Sequence, residues 1–356
     1  MGERSFHRRA ALWLALAGVV ILATFGLGEA MVRIASPRIL DDDLPIILGS
    51  PALRGDELGA VRYQPHTVVR YALSTVHGLE YDVRFRTNNL GYADERDYPL
   101  PTSAARTIAF AGDSYGVGAE GGEPWVPRLR ERTGATLYSL GTPATGIVHF
   151  ERALAGFRKV AAIPEIVIVA TSDDFFRPLW RPLANPRGVL MCAPGSADAE
   201  CTRQLIYGVG LDEPAAAVQQ AADDLRRRLV PAPSPLRALL RQSALLRFLG
   251  RLPATISNGP ARSRAYEDNV AALRAIRAAF PEAKIRFVQV PDKYESAAGR
   301  YALDAAKVLE GSRIEYLSVL DRCPLSPDLY YARDNHPNLA GYRKLASCVS
   351  TYLGLG

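Results

Sequence analysis

The sequence predicts an α/β fold: a three-layer sandwich on a mainly parallel sheet, preceded by one N-terminal transmembrane helix. Three observations carry this. From residue 106 onward, apolar runs of strand length alternate with segments of helical periodicity, and strands that alternate with helices pair in parallel with helices on both faces. Residues 10–28, AALWLALAGVVILATFGLG, contain no charged side chain. The chain has 356 residues, 48% of them hydrophobic, enough to fill the core such a sheet needs. The net charge of +6 comes from 43 Lys and Arg against 37 Asp and Glu spread along the chain, with no nucleic-acid motif, so no nucleic-acid partner is expected.

The elements follow in chain order. Arg4, His7, Arg8 and Arg9 precede the apolar run, which makes roughly 28 Å of helix, close to the ~30 Å hydrocarbon core of a bilayer. Residues 1–36 are therefore read as a cytoplasmic stub and a single-pass anchor in the cytoplasmic (inner) membrane. The arginines place everything after them on the periplasmic or extracellular side. A cleaved signal peptide is the alternative, but Gly28-Glu29-Ala30 imitates a small-x-small cleavage site poorly and the apolar run is long for a signal. Residues 37–105, rich in Pro and turn residues, contain alternating runs at 67–73 and 81–87 that read as strands of an entry arm. Residues 106–356 form the main domain. Its strands are expected at 107–111, 135–140, 165–171, 284–290 and 313–319, with helices near 124–133, 148–160, 266–280, 296–309 and 338–353.

Residues from about 176 to 262 interrupt the alternation and read as a helical insertion. Within it, SPLRALLRQSALLRFLG (234–250) is a basic amphipathic helix, with Arg237, Arg241, Arg247 and Arg251 on one side and most leucines on the other. It packs on the domain, or meets an anionic membrane face or polysaccharide. Of the four cysteines, Cys192 and Cys201 flank a short polar loop while Cys323 and Cys348 sit near the last strand and in the last helix. Two local bridges suit an oxidising compartment, though other pairings and four buried thiols stay open. No C-x-x-C pair or His/Cys cluster suggests a metal, and no cofactor is expected.

The stretch TIAFAGDSYGVGAEGG (107–122) offers two readings. Gly116, Gly118 and Gly121 have the G-x-G-x-x-G spacing of a dinucleotide-binding turn, but the strand ends at Ala111, well before the first of them, and the second strand has no acidic tip. Gly112-Asp113-Ser114 fits its surroundings better. A serine just past the C-terminal end of a strand lies on the sheet edge where substrates bind, and its N–H can face a developing oxyanion. It needs a base. Of the five histidines, His336 lies between the last strand and last helix with Asp334 two residues before it, so that edge can hold a Ser114, His336 and Asp334 triad. The alternative for His336 is a structural cap on the last helix.

These residues resemble the SGNH (GDSL-type) hydrolases, in particular the membrane-anchored bacterial envelope branch related to polysaccharide O-acetylation and deacetylation proteins. Gly112-Asp113-Ser114 with Glu123-Pro124-Trp125 is similar to that branch's first block, and Arg86-Thr87-Asn88-Asn89-Leu90-Gly91-Tyr92 to the segment before the domain. Val290-Pro291-Asp292-Lys293 and Asp334-Asn335-His336-Pro337-Asn338 with Gly341 are similar to the later blocks, so the resemblance spans residues from about 84 to 350 apart from the insertion. It implies a flavodoxin-like sheet and an extracytoplasmic serine esterase that hydrolyses an O-acyl, expectedly O-acetyl, ester on envelope or exported polysaccharide. The partners implied are an acylated carbohydrate and the membrane. The alternatives are an O-acetyltransferase on the same triad, supplied by a membrane acyl-donor protein, and a weakened carbohydrate-binding or assembly subunit. The oxyanion hole would comprise the N–H groups of Ser114 and Ala144, the latter standing where the family has glycine. Asp173 takes the position of the family's donor asparagine. An ionised carboxylate has no hydrogen to donate, and a missing donor costs about 10² to 10³ in rate.

Overall fold

The computed structural model describes residues 2–35, 44–101, 106–118, 120–185, 187–197, 201, 206–229, 242–249 and 259–355, in two compact units. The first unit comprises residues 1–43 and 226–260. Its main element is the helix Gly2–Ala35, in which Ala15–Ile34 is long and apolar enough to cross a membrane. This stretch runs past the uncharged segment read from the sequence and includes Glu29 and Arg33, which pair at 2.8 Å one helical turn apart. Glu29 also accepts hydrogen bonds from Ser243 Oγ and from the N–H groups of Ala244 and Leu245, and so caps a short helix at 244–249. That short helix is the described end of the basic segment expected at 234–250. The rest of that segment lies outside the described residues.

The second unit holds two sheets of more than two strands. Its strands are β1 (Ile46–Gly49), β2 (Leu53–Gly55), β3 (Val61–Tyr63), β4 (Val68–Thr75), β5 (Gly78–Arg86), β6 (Thr107–Gly112), β7 (Thr136–Ser139) and β8 (Glu165–Ala170), followed by β9 (Arg181–Asn185), β10 (Gly188–Cys192), β11 (Ile206–Gly208), β12 (Lys284–Gln289) and β13 (Glu315–Ser318). The central sheet is all parallel in the order β7-β6-β8-β12-β13, the doubly wound arrangement whose strand order reverses beside its first strand. Its strands bury both faces, so alternate residues of one strand feed opposite cores. Ala109, Ile166, Ile168 and Phe287 pack against the helices Ile147–Phe157 and Gly259–Ala279. Ile108, Phe110, Val167 and Val288 pack against the helices Trp125–Thr133 and Leu339–Leu353. The fold is a three-layer α/β sandwich.

The expected helix at 296–309 is two shorter ones, Lys293–Ala298 and Ala305–Val308. Gly299 ends the first in the left-handed region at φ 62°, and Tyr301 then turns inward to donate to the Gln289 carbonyl.

The second sheet, β5-β4-β1-β11-β10-β9, draws strands from the arm and from the stretch read as a helical insertion. The helix Ala215–Leu229 is present there, but three short strands precede it. Arg70 on β4 ties the two segments together. Fully buried, it is held by both oxygens of Asp82 (2.8 and 2.6 Å) and donates to the carbonyls of Gly210 and Glu213 at 2.8 Å. Cys192 is bonded to Cys201 and Cys323 to Cys348.

Candidate active site

The site lies at the C-terminal edge of the central sheet. At the end of β6, Asp113 caps the short helix Ser114–Val117 by accepting the Tyr115 N–H at 2.8 Å, which presents Ser114 at its first position. Gly118 closes this helix at φ 76° and Gly121 follows at φ 82°, both left-handed, so these glycines serve as turn residues behind the serine. Opposite, the turn of residues 331–336 is pinned by a bond from Tyr331 N–H to the His336 carbonyl and by the Tyr330–Pro337 bridge. Tyr115 Oη donates to the Asn335 carbonyl at 2.6 Å, and Lys293 Nζ donates to the carbonyls of Tyr331 and Ala332. Asn338, not His336, caps the last helix, its side chain accepting the Gly341 N–H at 3.0 Å. His336 is left for the serine.

Ser114 Oγ lies 2.7 Å from His336 Nε2, and His336 Nδ1 lies 2.9 Å from both Asp334 oxygens. Burial works against charge on His336, but the carboxylates of Asp334, Glu120 and Asp113 outweigh it and raise its pKa to about 9. Asp334 is mostly buried, which opposes ionisation, yet His336 and its hydrogen bonds hold its pKa below the usual range.

Two residues the sequence reading missed complete the cluster. Arg177 is mostly buried and ion-paired with three carboxyl groups: Asp113 Oδ2 and Asp174 Oδ1 through Nη1, each at 2.7 Å, and Asp173 Oδ2 through Nε at 3.1 Å. Burial disfavours its charge, but these three partners overcome that and keep it protonated. Nη1 also reaches the Thr145 carbonyl at 3.3 Å, beside Ala144. Asp113 Oδ2 faces the Ser114 hydroxyl at 3.3 Å, so only one carboxylate oxygen separates Arg177 from the nucleophile candidate. Glu120 is the second. Its side chain is 5% exposed and Oε2 lies 3.1 Å from His336 Nε2, the same nitrogen that faces Ser114. The only sequence signal for Arg177 was its position one turn after Asp173, and Glu120 sits unmarked among glycines.

The structure thus brings Ser114, His336 and Asp334 into direct contact, while Asp173 and the Ala144 loop connect to them through Arg177. Ala144 has φ 61°, the conformation that favours the glycine of the resembling family. His149 is a structural residue: burial lowers its pKa to about 3, and its neutral Nε2 accepts the Val61 N–H. Among the described residues, no group of three His, Cys, Asp or Glu side chains is placed to hold a metal ion.

No family model matches the chain, and no curated protein matches it. Solved structures do resemble it. A putative platelet activating factor from Streptococcus pneumoniae is 14% identical, with 71% of this chain and 86% of that one covered at a TM-score of 0.33. An alpha/beta hydrolase from the metagenome of Lake Arreo is 13% identical over 71% and 96% of the two chains, with a TM-score of 0.36. A family two carbohydrate esterase from Clostridium thermocellum, in complex with cellohexaose, is 9% identical over 87% and 100%, again at 0.36. At such TM-scores none of these likenesses bears on the chemistry, which rests on the geometry above.

Proposed function

We propose that this chain is a membrane-anchored, extracytoplasmic serine esterase that removes an O-acyl group, most simply acetyl, from envelope or exported polysaccharide. The observation that carries this reading is the unbroken relay from Asp334 through both nitrogens of His336 to Ser114 Oγ. In the neutral histidine Asp334 fixes the proton on Nδ1, leaving the Nε2 lone pair for the serine proton. Ser114 Oγ attacks the acyl carbonyl as its proton passes to Nε2. The resulting imidazolium returns that proton to the departing sugar oxygen, and a water molecule then repeats the sequence to free the acid.

The N–H groups of Ser114 and Ala144 are the oxyanion donors in this reading. Asp173 accepts a hydrogen bond from Arg177 instead of giving one, so the family's side-chain donor is replaced here by a carboxylate paired with a guanidinium. The Arg177 guanidinium thus offsets the Asp173 charge that would oppose an oxyanion, while the missing donor hydrogen is left to the backbone N–H groups and keeps the lowered rate expected of this site. The N-terminal helix, with arginines at its N-terminal end, which the positive-inside rule keeps in the cytoplasm, is the basis for placing the site outside it. Hydrolysis of an aryl acetate by the full-length protein tests the reading. Ser114→Ala is expected to abolish turnover above background, and unchanged hydrolysis would contradict it.

A further inference from the structure

His336 stands between two carboxylates. Asp334 occupies Nδ1, as a triad requires, but Glu120 Oε2 lies 3.1 Å from Nε2, within the reach of Ser114 Oγ at 2.7 Å. A triad has no use for a buried acid at that nitrogen. With the Nδ1 proton held by Asp334, a neutral imidazole would turn its Nε2 lone pair toward the lone pairs of an ionised Glu120. The contact is favourable only when a proton sits between Nε2 and Oε2. While it sits there, Nε2 cannot accept the proton of Ser114.

From this geometry we propose that Glu120 is a further catalytic residue, which shares a proton with His336 Nε2 and thereby sets the pH at which the site becomes active. The inference rests on the esterase reading only for its effect on rate. The shared proton itself stands on the contact.

The surroundings agree. Burial pushes the Glu120 carboxyl up to about 7, with Asp334 and Asp113 adding to the rise and His336 and Arg177 opposing it. Among the described residues, Glu120 is also faced by phenols that burial keeps protonated: Tyr63, Tyr71 and Tyr81 from β3, β4 and β5, and Tyr342 from the last helix. Arg177 is thus the one permanent cation facing it among these groups, and its Nη1 and Nε are committed to the Asp113, Asp173 and Asp174 carboxylates. The sign of the effect follows. A negative neighbour stabilises the imidazolium, so the base is freed only as pH rises toward the raised pKa of His336, about 9. Glu120→Gln removes that charge and frees the base at lower pH. Once the base is free, the Glu120 carboxylate steadies the imidazolium that forms in the transition state, so the wild type should be the faster of the two on the alkaline plateau.

The test follows the His336 ring nitrogens by NMR in histidine-labelled, full-length protein in detergent, in wild type and in Glu120→Gln, with His336→Gln for assignment. The rate of labelling by a fluorophosphonate is read over the same pH range. Expected are a His336 titration at least about one pH unit lower in Glu120→Gln and about tenfold more of its plateau labelling rate at neutral pH, with the two rate profiles crossing. A titration at the same pH in both proteins overturns the inference, as does a parallel loss of rate at all pH, which is what a structural role would produce. If Glu120→Gln does not accumulate, Glu120→Ala makes the same comparison, and a wild-type His336 that titrates at or below the ordinary imidazole range is contradictory by itself. A shifted titration without labelling of either protein would remove the esterase reading and leave the shared proton standing.

Discussion

Ser114, His336 and Asp334 meet because two backbone devices aim them: Asp113 caps the turn that begins at the serine, and a tight turn fixes the histidine two residues from its carboxylate. Both devices are local in sequence, which is why this part of the site was legible as motifs. Arg177 and Glu120 were not, because each acts on residues brought near only by the fold and neither lies in a recognisable pattern. Ala144 illustrates a residue whose setting is visible only in the backbone. At φ 61° its Cβ crowds the following carbonyl, a strain a glycine would not carry. Ala144→Gly is therefore expected to raise unfolding stability by about 1 kcal/mol in denaturant titrations. A loss of stability would mean that the alanine methyl makes a contact that outweighs the backbone term.

At the scale of elements, the central sheet was readable because each of its strands is a buried apolar run between helical segments. The short strands β9 to β11 were not, since each is only three to five residues long and is made regular by pairing with its neighbours and with β1 on the arm. The helix expected across 296–309 failed at Gly299, where a left-handed residue ends the turn. The arm is tied to the central sheet by Asp94, which binds both terminal nitrogens of Arg130 at 2.6 and 2.8 Å and accepts the Tyr98 hydroxyl at 2.8 Å. Tyr98 in turn accepts the Ser139 N–H at the end of β7, just before the loop that carries Ala144. Asp94→Ala leaves a buried guanidinium without its partner, and a loss of about 3 kcal/mol is expected in chemical denaturation. A change within experimental error would show that the pair stabilises the arm no more than an apolar contact would.

Over the whole molecule, the four cysteines are paired and the N-terminal helix is long and apolar enough to cross a membrane. The membrane-length helix was readable from sequence as an uncharged run, although the helix continues through a paired Glu29 and Arg33 that composition alone would have excluded. The Cys323–Cys348 bridge closes a loop spanning 25 positions and ties the last helix to the segment after β13. Replacing both cysteines with serine should lower stability by about 3 kcal/mol, read as a shift of the denaturant midpoint in non-reducing buffer. An unmoved midpoint would contradict a structural role for the bridge. The central claim, that Ser114 is a nucleophile activated by His336, is tested most directly by treating the full-length protein with a fluorophosphonate and locating the modified residue by mass spectrometry. A single adduct on Ser114, lost in His336→Gln, is the predicted result; no adduct, or one on another serine that survives His336→Gln, would contradict it.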